Sequence, residues 1–404
     1  MACQCRPDRS PKTTDEIDTA IDSIGQVNTR AVQPVVQIFV ENSASIDGYV
    51  SGGNDLRDVV EAYLYGVKND MSPKSIECYF INSKQIHIGH DVKEFADKIT
   101  PTYFKKSGGN RGTSDIADIL RQIVPQGEDT IAILVSDFIF SPGNQDAENY
   151  IKRQHNQIND LFVTVSQRKD WSVLIYRFDG KFNGTYYDRN DKHSKFDGKR
   201  PFYMWVVGKN DYIKQLRKLE DKPNIDIRNK CVITNGVDVI NCAIQPNIGD
   251  YRISKKSNRA IERAKLTSGK GSHKGKTKKL TIGLNIDFSE LIANEQYLLD
   301  TANYSVDNPA YRVVSVQKSS HPHYTHTLRI ESTSNNAAEV TVCLKNKMPR
   351  WIYRFNDDVG EAANENDEIQ TTYGLKKIVS GVFDAFTDMD DNLCSLKISV
   401  NKNK

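Results

Sequence analysis

Two short apolar runs in the first third of the chain each lead directly into hydroxyl and carboxylate side chains. Residues 35–40 read Val-Val-Gln-Ile-Phe-Val, and residues 131–135 read Ile-Ala-Ile-Leu-Val. Runs this apolar, rich in β-branched residues, are typical of strands that are buried on both faces of a parallel sheet. Ligands bind beyond the carboxyl ends of such strands, so the polar residues that follow them are candidate site residues.

Three separate segments supply oxygen donors at these junctions. Glu41, Ser43 and Ser45 follow the first run, and Asp137 follows the second. Thr113 lies between them, in a glycine-rich turn before a segment with helical spacing of apolar residues. Hydroxyl and carboxylate oxygens are hard ligands, so the sequence predicts that these residues bind a divalent cation.

This set of residues resembles the metal-ion-dependent adhesion site of von Willebrand factor A-type domains. The first motif of that family is Asp-x-Ser-x-Ser, followed by a Thr and then an Asp from separate loops. By position, Ser43 and Ser45 match the serines and Asp137 matches the later aspartate. Thr113 matches the threonine, whereas Glu41 stands where the family has its first Asp. The resemblance implies an adhesion or assembly role.

The glutamate at position 41 affects which ion is expected. Mg²⁺ requires near-ideal octahedral geometry with ligands at roughly 2.0–2.1 Å, so the extra methylene of Glu41 changes the coordination position that it reaches. Ca²⁺ is more flexible in geometry and Mn²⁺ shares the preference for oxygen, so both tolerate the change better. We therefore expect Mg²⁺, Mn²⁺ or Ca²⁺. The alternative is that Ser43 and Ser45 only cap the chain into the next helix.

The order of segments predicts an α/β domain followed by a β-rich domain. Strands that alternate with helices over residues 31–222 favour a doubly wound, mostly parallel sheet of the vWA or Rossmann-like kind, preceded by a flexible tail at residues 1–30. Residues 177–201 are interpreted as a polar insertion, either a solvated excursion or a partner-contact loop. Residues 223–404 contain short strand-like runs typical of a β-sandwich, with one amphipathic helix at residues 371–386.

A basic run within the second domain indicates a different function. Between residues 252 and 279, Glu262 is the one acidic residue among many cations, glycines and serines. Such a run is a candidate for binding phosphates, acidic lipids or an acidic protein, or it is a solvated loop. It contains no aromatic residue, so stacking on single-stranded bases has little support. The candidate anion-binding residues are Lys255, Lys256, Arg259, Arg263, Lys274, Lys276, Lys278 and Lys279.

Composition and the first residues limit the classes of protein to consider. The 404 residues are 38% apolar and 26% charged with a net charge of +3, which is ordinary for a globular protein and gives no overall attraction to polyanions. No stretch approaches the roughly 18–20 apolar residues needed to span a bilayer.

Ala2-Cys3 resembles the end of a bacterial lipoprotein signal, which predicts a lipid on Cys3 and a place in the cell envelope. The alternative is a frayed amino terminus on a cytoplasmic protein.

The chain carries none of the motifs that mark common enzyme classes. It lacks a phosphate-binding P-loop, a His-Glu-x-x-His zinc motif and a Gly-x-Ser-x-Gly nucleophile elbow. The eight histidines are scattered, and His323 and His326 would point to opposite faces of a strand. We expect a non-enzymatic interaction protein that captures an acidic group of a protein partner through the cation. Anion or nucleic-acid binding through the basic run is the alternative, and a metal-dependent hydrolase is a weaker one.

Overall fold

The computed structural model describes residues 32–112, 115–125, 127–139, 146–190, 192–237, 240–245, 251–253, 260–263, 280–334, 336–360, 370–388 and 390–401. The elements described below belong to the unit formed by residues 34–404. The predicted tail with Cys3, the candidate ligand Thr113 and most of the basic run lie outside the described residues.

Seven strands form the first sheet. They are β1 (Val35–Glu41), β2 (Ser75–Ile81), β3 (Gln85–Gly89), β4 (Thr130–Ser136), β5 (Trp171–Tyr187), β6 (His193–Lys209) and β7 (Asn229–Thr234). Their order across the sheet is β3-β2-β1-β4-β6-β5-β7. β2, β1 and β4 are parallel neighbours, and the other four pairings are antiparallel. The prediction of an α/β fold is therefore confirmed. The prediction of a mostly parallel sheet is wrong, because the sheet is mixed and most of its pairings are antiparallel.

Helices cover both faces of this sheet. They are α1 (Asp47–Gly52), α2 (Asp55–Met71), α3 (Val92–Asp97), α4 (Pro101–Lys106), α5 (Ile116–Ile123), α6 (Ala147–Ser166) and α7 (Asn210–Leu216), followed by a 3₁₀ turn at Arg217–Asp221. In β1, Val36 and Ile38 belong to an apolar core shared with α2 and α3, whereas Phe39 belongs to a second core with α5 and α6. Burial on both faces explains why the sequence of β1 is almost wholly apolar.

β5 and β6 form a long hairpin, and its outer part is residues 177–201, which we call the β5–β6 arm. The two strands are paired without interruption along their full length. The interpretation of these residues as an insertion is wrong. Apolar residues recur at even positions, as in Phe178, Phe182 and Tyr186, and this alternation marks a strand with one buried face. The hairpin also makes the β5–β6 pairing antiparallel.

The β5–β6 arm lies directly on α1. A Cβ atom added to Gly48 would be 2.2 Å from the ring of Phe182, and one added to Gly184 would be 2.6 Å from the Cα atom of Gly48. Tyr49 packs edge-on against Phe182 with ring centroids 5.0 Å apart, and its hydroxyl donates a hydrogen bond to the carbonyl of Pro201. Two glycines therefore permit the close approach of the arm to the helix that follows the first candidate loop.

Further sheets follow in the C-terminal part of the chain. Its described elements are β8 (Cys242–Ile244), β9 (Tyr251–Ile253), β10 (Ala260–Arg263), β11 (Leu280–Ile286), α8 (Glu295–Leu299), a 3₁₀ turn (Thr301–Asn303), β12 (Tyr304–Val306), β13 (Tyr311–Lys318), β14 (His326–Ser332), β15 (Ala338–Lys345), α9 (Arg350–Arg354), β16 (Asn356–Asp357), β17 (Thr372–Tyr373), α10 (Leu375–Thr387) and β18 (Asn392–Asn401). The sheets have the orders β13-β14-β11-β8, β12-β15-β18-β10-β9 and β16-β17. Their pairings are antiparallel except for β10 with β18 and β16 with β17. One apolar cluster contains residues from the first two of these sheets, including Leu328 and Val342.

Elements on both sides of residue 222, the predicted domain boundary, share one core. β7 pairs with β5 at the edge of the first sheet. Ile352 of α9 and Ile378 of α10 belong to the same apolar cluster as α5 and α6. α10 corresponds to the amphipathic helix expected at residues 371–386. It is joined to α6 by a hydrogen bond from Asn159 Nδ2 to the carbonyl oxygen of Gly381, at 3.2 Å.

The substitution Gly381→Ala tests how closely α10 packs on α6. An added Cβ atom would lie 2.8 Å from the carbonyl oxygen of His155 in α6, so the two helices must separate. Overpacking costs about 1–3 kcal/mol, which exceeds the gain in helix propensity of at most about 1 kcal/mol. We expect urea unfolding to show a lower free energy of unfolding for G381A. Lys377→Ala, at an exposed position of α10, is the control and should stay within about 0.5 kcal/mol of wild type. Equal stability of G381A and wild type would contradict this packing.

Candidate metal site at the ends of strands β1 and β4

β1 and β4 bring the two main candidate segments to the same edge of the sheet. The strands are parallel neighbours, with Val40 opposite Val135. Glu41 is the last residue of β1, and Ser136 is the last residue of β4. Adjacent strands lie roughly 4.8 Å apart, so the loops that follow these residues start side by side.

Ser43, Ser45 and Asp137 form a hydrogen-bonded group at this edge. The Oγ atoms of Ser43 and Ser45 are 2.9 Å apart, and Ser45 Oγ donates to Asp137 Oδ1 at 3.1 Å. The backbone N–H of Ile139 donates to the same carboxylate oxygen at 3.2 Å. The three side chains are buried, with exposed fractions between 0% and 6%. The structure thus brings together three of the five expected ligands.

Glu41 is also wholly buried, at the end of β1. Its Oε2 atom accepts a hydrogen bond from the hydroxyl of Ser136, and Ser136 Oγ in turn accepts one from the N–H of Phe138 at 2.8 Å. The chain turns here through an uncommon conformation, because Phe138 has a φ of +52°, which bulky residues rarely adopt. The two buried carboxylates, Glu41 and Asp137, are therefore fixed at the ends of neighbouring strands.

Arg111 holds the first loop from the side of the glycine-rich segment. Its Nε atom donates to the carbonyl of Asn42 at 2.6 Å, and its Nη2 atom donates to the carbonyl of Ser43 at 3.2 Å and pairs with Asp47. The N–H of Ala44 donates back to the carbonyl of Arg111 at 2.9 Å. These contacts fix the loop next to the segment that leads to Thr113. Sequence reasoning missed this positioning role, because an arginine in a glycine-rich turn carries no specific signal.

The second carboxylate oxygen of Asp137 is buried without a hydrogen-bond partner. Arg200 of β6 is 1% exposed, and its Nε and Nη1 atoms also lack partners. Burial raises the pKa of Asp137, and the positive charge of Arg200 lowers it in part. The two groups therefore interact electrostatically across a separation longer than a hydrogen bond.

Aromatic rings of the β5–β6 arm hold the side chain of Arg200. Its guanidinium carbon lies 4.6 Å from the ring centroid of Tyr186 and 5.1 Å from that of Phe182. Cation–π contacts of this kind stabilise a desolvated charge by about 2 kcal/mol or more. Neither contact provides a hydrogen-bond acceptor for the Nε and Nη1 atoms of Arg200.

The donor set fits a hard divalent cation. Asp137 offers an unpartnered carboxylate oxygen, and the hydroxyls of Ser45, which bonds the other oxygen of Asp137, and of Ser43, which contacts Ser45, offer further oxygens. An uncompensated buried carboxylate costs several kcal/mol, and a cation bound beside it offsets that cost.

The other candidate residues lie elsewhere or outside the described residues. Arg263 is the last residue of β10. The remaining seven candidate anion-binding residues lie outside the described residues, so anion binding through the basic run stays a prediction. Within the part of the chain that the structure describes, no helix is long and apolar enough to cross a membrane.

Comparison of the chain with protein-family models, with curated proteins and with solved structures found no match.

The variant pair Arg200→Met and Asp137→Asn tests whether the two buried charges interact. Removing one member of a buried charge pair leaves the other uncompensated and costs about 3–5 kcal/mol. We expect R200M to lower the free energy of unfolding by about this amount in chelator-treated buffer. The free energy of unfolding should fall in the double variant by less than the sum of the two single effects. The difference, which is the coupling energy, should be about 0.5–3 kcal/mol.

Arg121→Met is the control, because Arg121 forms a half-exposed surface pair with Asp118 that contributes at most about 1 kcal/mol. Strictly additive effects in the double variant would contradict an interaction between Arg200 and Asp137.

Proposed function

We propose that this chain is a non-enzymatic interaction protein that binds an acidic group of a protein partner through a divalent cation. The cation is held by Ser43, Ser45 and Asp137, with Glu41 and Thr113 as the further donors that the resemblance to vWA domains implies. The observation that carries the proposal is the buried, unpartnered Oδ2 atom of Asp137, in a carboxylate whose other oxygen accepts a hydrogen bond from Ser45, which itself contacts Ser43. The ion is Mg²⁺, Mn²⁺ or Ca²⁺.

Arg200 supports an acidic group as the ligand. A guanidinium group presents its N–H donors in a planar fork that matches the two oxygens of a carboxylate. The Nε and Nη1 atoms of Arg200 have no hydrogen-bond partner, and its positive charge lowers the pKa of Asp137. A partner's Asp or Glu would therefore complete the coordination shell of the cation with one oxygen and accept hydrogen bonds from Arg200.

The burial of the site sets a condition on binding. Asp137 is 0% exposed and Arg200 is 1% exposed, so a partner side chain reaches them only if the surrounding chain moves. The β5–β6 arm carries Arg200 and rests on α1 at the glycine contacts between Gly48 and Gly184. We propose that the arm shifts from α1 when the partner binds, which makes association slower than docking to a preformed surface.

We also propose how the sheets of the two halves of the chain are arranged. The first sheet is proposed to be a vWA-type sheet in which the β5–β6 hairpin replaces two parallel strands. The sheets that contain β11 and β15 are proposed to form a β-sandwich, and the apolar cluster that contains residues of both supports this arrangement. A hydrolase would need a general base beside the cation, and Glu41, the other buried carboxylate, is proposed as a donor to the cation and accepts a hydrogen bond from Ser136.

The cation is tested by the stability of chelator-treated protein to which Mg²⁺, Mn²⁺ or Ca²⁺ is added. A ligand that binds only the folded state raises the free energy of unfolding by about 2.7 kcal/mol at 100 times its Kd. We expect at least one of these ions to stabilise the wild type by about this amount and to leave Asp137→Asn unchanged. Asp118→Asn, at an exposed acidic position, should respond as wild type does. The proposal fails if none of the three ions stabilises the wild type.

The partner group is tested by capture of a partner on the immobilised chain. Capture should be lost in chelator and in D137N. Arg200→Lys keeps the charge but loses the planar fork, so we expect it to retain ion binding and to weaken capture. If R200K captures the partner as well as wild type does, Arg200 does not contact the partner's acidic group.

A further inference from the structure

A second group of metal-binding side chains lies at the far edge of the first sheet. Glu77 of β2 and His87 of β3, with His90 just beyond β3, bring one carboxylate oxygen and two imidazole nitrogens within 4.8 Å of one another. β3 is the edge strand of the sheet, so the group is open to solvent on one side. Sequence reasoning missed it, because the spacing of Glu77, His87 and His90 forms no recognisable zinc motif.

The backbone of β3 is irregular where these histidines lie. In a regular strand, His87 and His90 would point to opposite faces, because successive side chains alternate. The register with β2 shifts here: Cys78 is opposite Gly89, but the next residue, Tyr79, is opposite His87. Ile88 is therefore the extra residue of a β-bulge, and the bulge brings both histidines to the face that carries Glu77.

Gly89 permits this turn of the chain. Its φ of +147° lies in a region that side chains rarely adopt, although a Cβ atom at this position would meet nothing within 4 Å. The conformation of the backbone, and not crowding, thus favours glycine at this position. A bulge and a glycine together orient the two rings, which are 5.0 Å apart between centroids.

The distances from Glu77 to the two imidazole nitrogens are close to those between ligands in tetrahedral coordination. Zinc binds imidazole nitrogen at about 2.0–2.1 Å and carboxylate oxygen at about 2.0–2.2 Å, so two ligands of a tetrahedron are about 3.3–3.5 Å apart. The Oε2 atom of Glu77 lies 3.3 Å from Nε2 of His87 and 2.9 Å from Nδ1 of His90. All three ligand atoms lie within 4.8 Å of one another, and the side chain of His90 is 64% exposed, so its ring can move to bring its nitrogen to a tetrahedral distance.

We propose that Glu77, His87 and His90 form a zinc site with three protein ligands and a fourth, open position for water. Two imidazoles and one carboxylate form a mixed nitrogen and oxygen set, which suits Zn²⁺ and not the hard ions Mg²⁺ and Ca²⁺. Because Glu77 lies on β2 and His87 on β3, the bound ion would link the edge strand β3 to β2. The site is independent of the oxygen site at Asp137.

The test is calorimetric titration of Zn²⁺ into the full chain in the presence of saturating Mg²⁺, which occupies oxygen sites and competes poorly for imidazole. We expect one zinc ion per chain. Loss of one outer-shell partner costs about 10–100-fold in affinity, so losing a ligand should cost at least tenfold. This loss of affinity should appear in the double variant His87→Gln/His90→Gln and in the single variant Glu77→Gln. Thermal unfolding of the metal-free protein should be unchanged in both.

The control is the double variant His321→Gln and His323→Gln, whose rings are 5.7 Å apart in an exposed turn. It should bind zinc as wild type does. Hydrogen exchange gives a second readout, because zinc should slow exchange of the β3 amides in wild type only. Zinc binding that is unchanged in H87Q/H90Q, or no binding by the wild type, would overturn the proposal. Neither result bears on the cation at Asp137, which D137N tests separately.

Discussion

The proposed activity depends on one buried carboxylate, Asp137, that the fold satisfies only in part. Parallel pairing of β1 with β4 places it beside the serine loop, where Ser45 and the N–H of Ile139 bind one of its oxygens. The other oxygen has no hydrogen-bond partner, and the positive charge of Arg200 lowers the pKa of Asp137 without a hydrogen bond to this oxygen. A buried charge in this state costs free energy unless something binds it. We propose that a divalent cation binds this carboxylate.

Much of the sheet and part of the site could be predicted from the sequence, because the relevant signals are local. The apolar runs at residues 35–40 and 131–135 are strands β1 and β4, and the polar residues after them meet because parallel strands end at one edge. Ser43, Ser45 and Asp137 therefore came together as expected. The C-terminal helix was likewise visible as apolar residues at helical spacing, which α10 presents to α6.

The remaining features depend on pairings between distant residues that no local pattern specifies. Arg200 was not foreseen, because residues 177–201 are polar enough to resemble an insertion, and only the alternation of Phe178, Phe182 and Tyr186 indicates a strand. The group of Glu77, His87 and His90 depends on a bulge in β3, and a bulge is a property of two strands in register. In both cases long-range pairing decided which side chains meet.

The most direct measurement is anomalous diffraction from crystals grown with Mn²⁺, an ion that shares the oxygen preference of Mg²⁺. We expect one manganese peak within coordination distance, roughly 2.0–2.3 Å, of Asp137 Oδ2, with the hydroxyls of Ser43 and Ser45 among the other ligands. A direct ion pair between Asp137 and Arg200 with no manganese between the serines and Asp137 would contradict it.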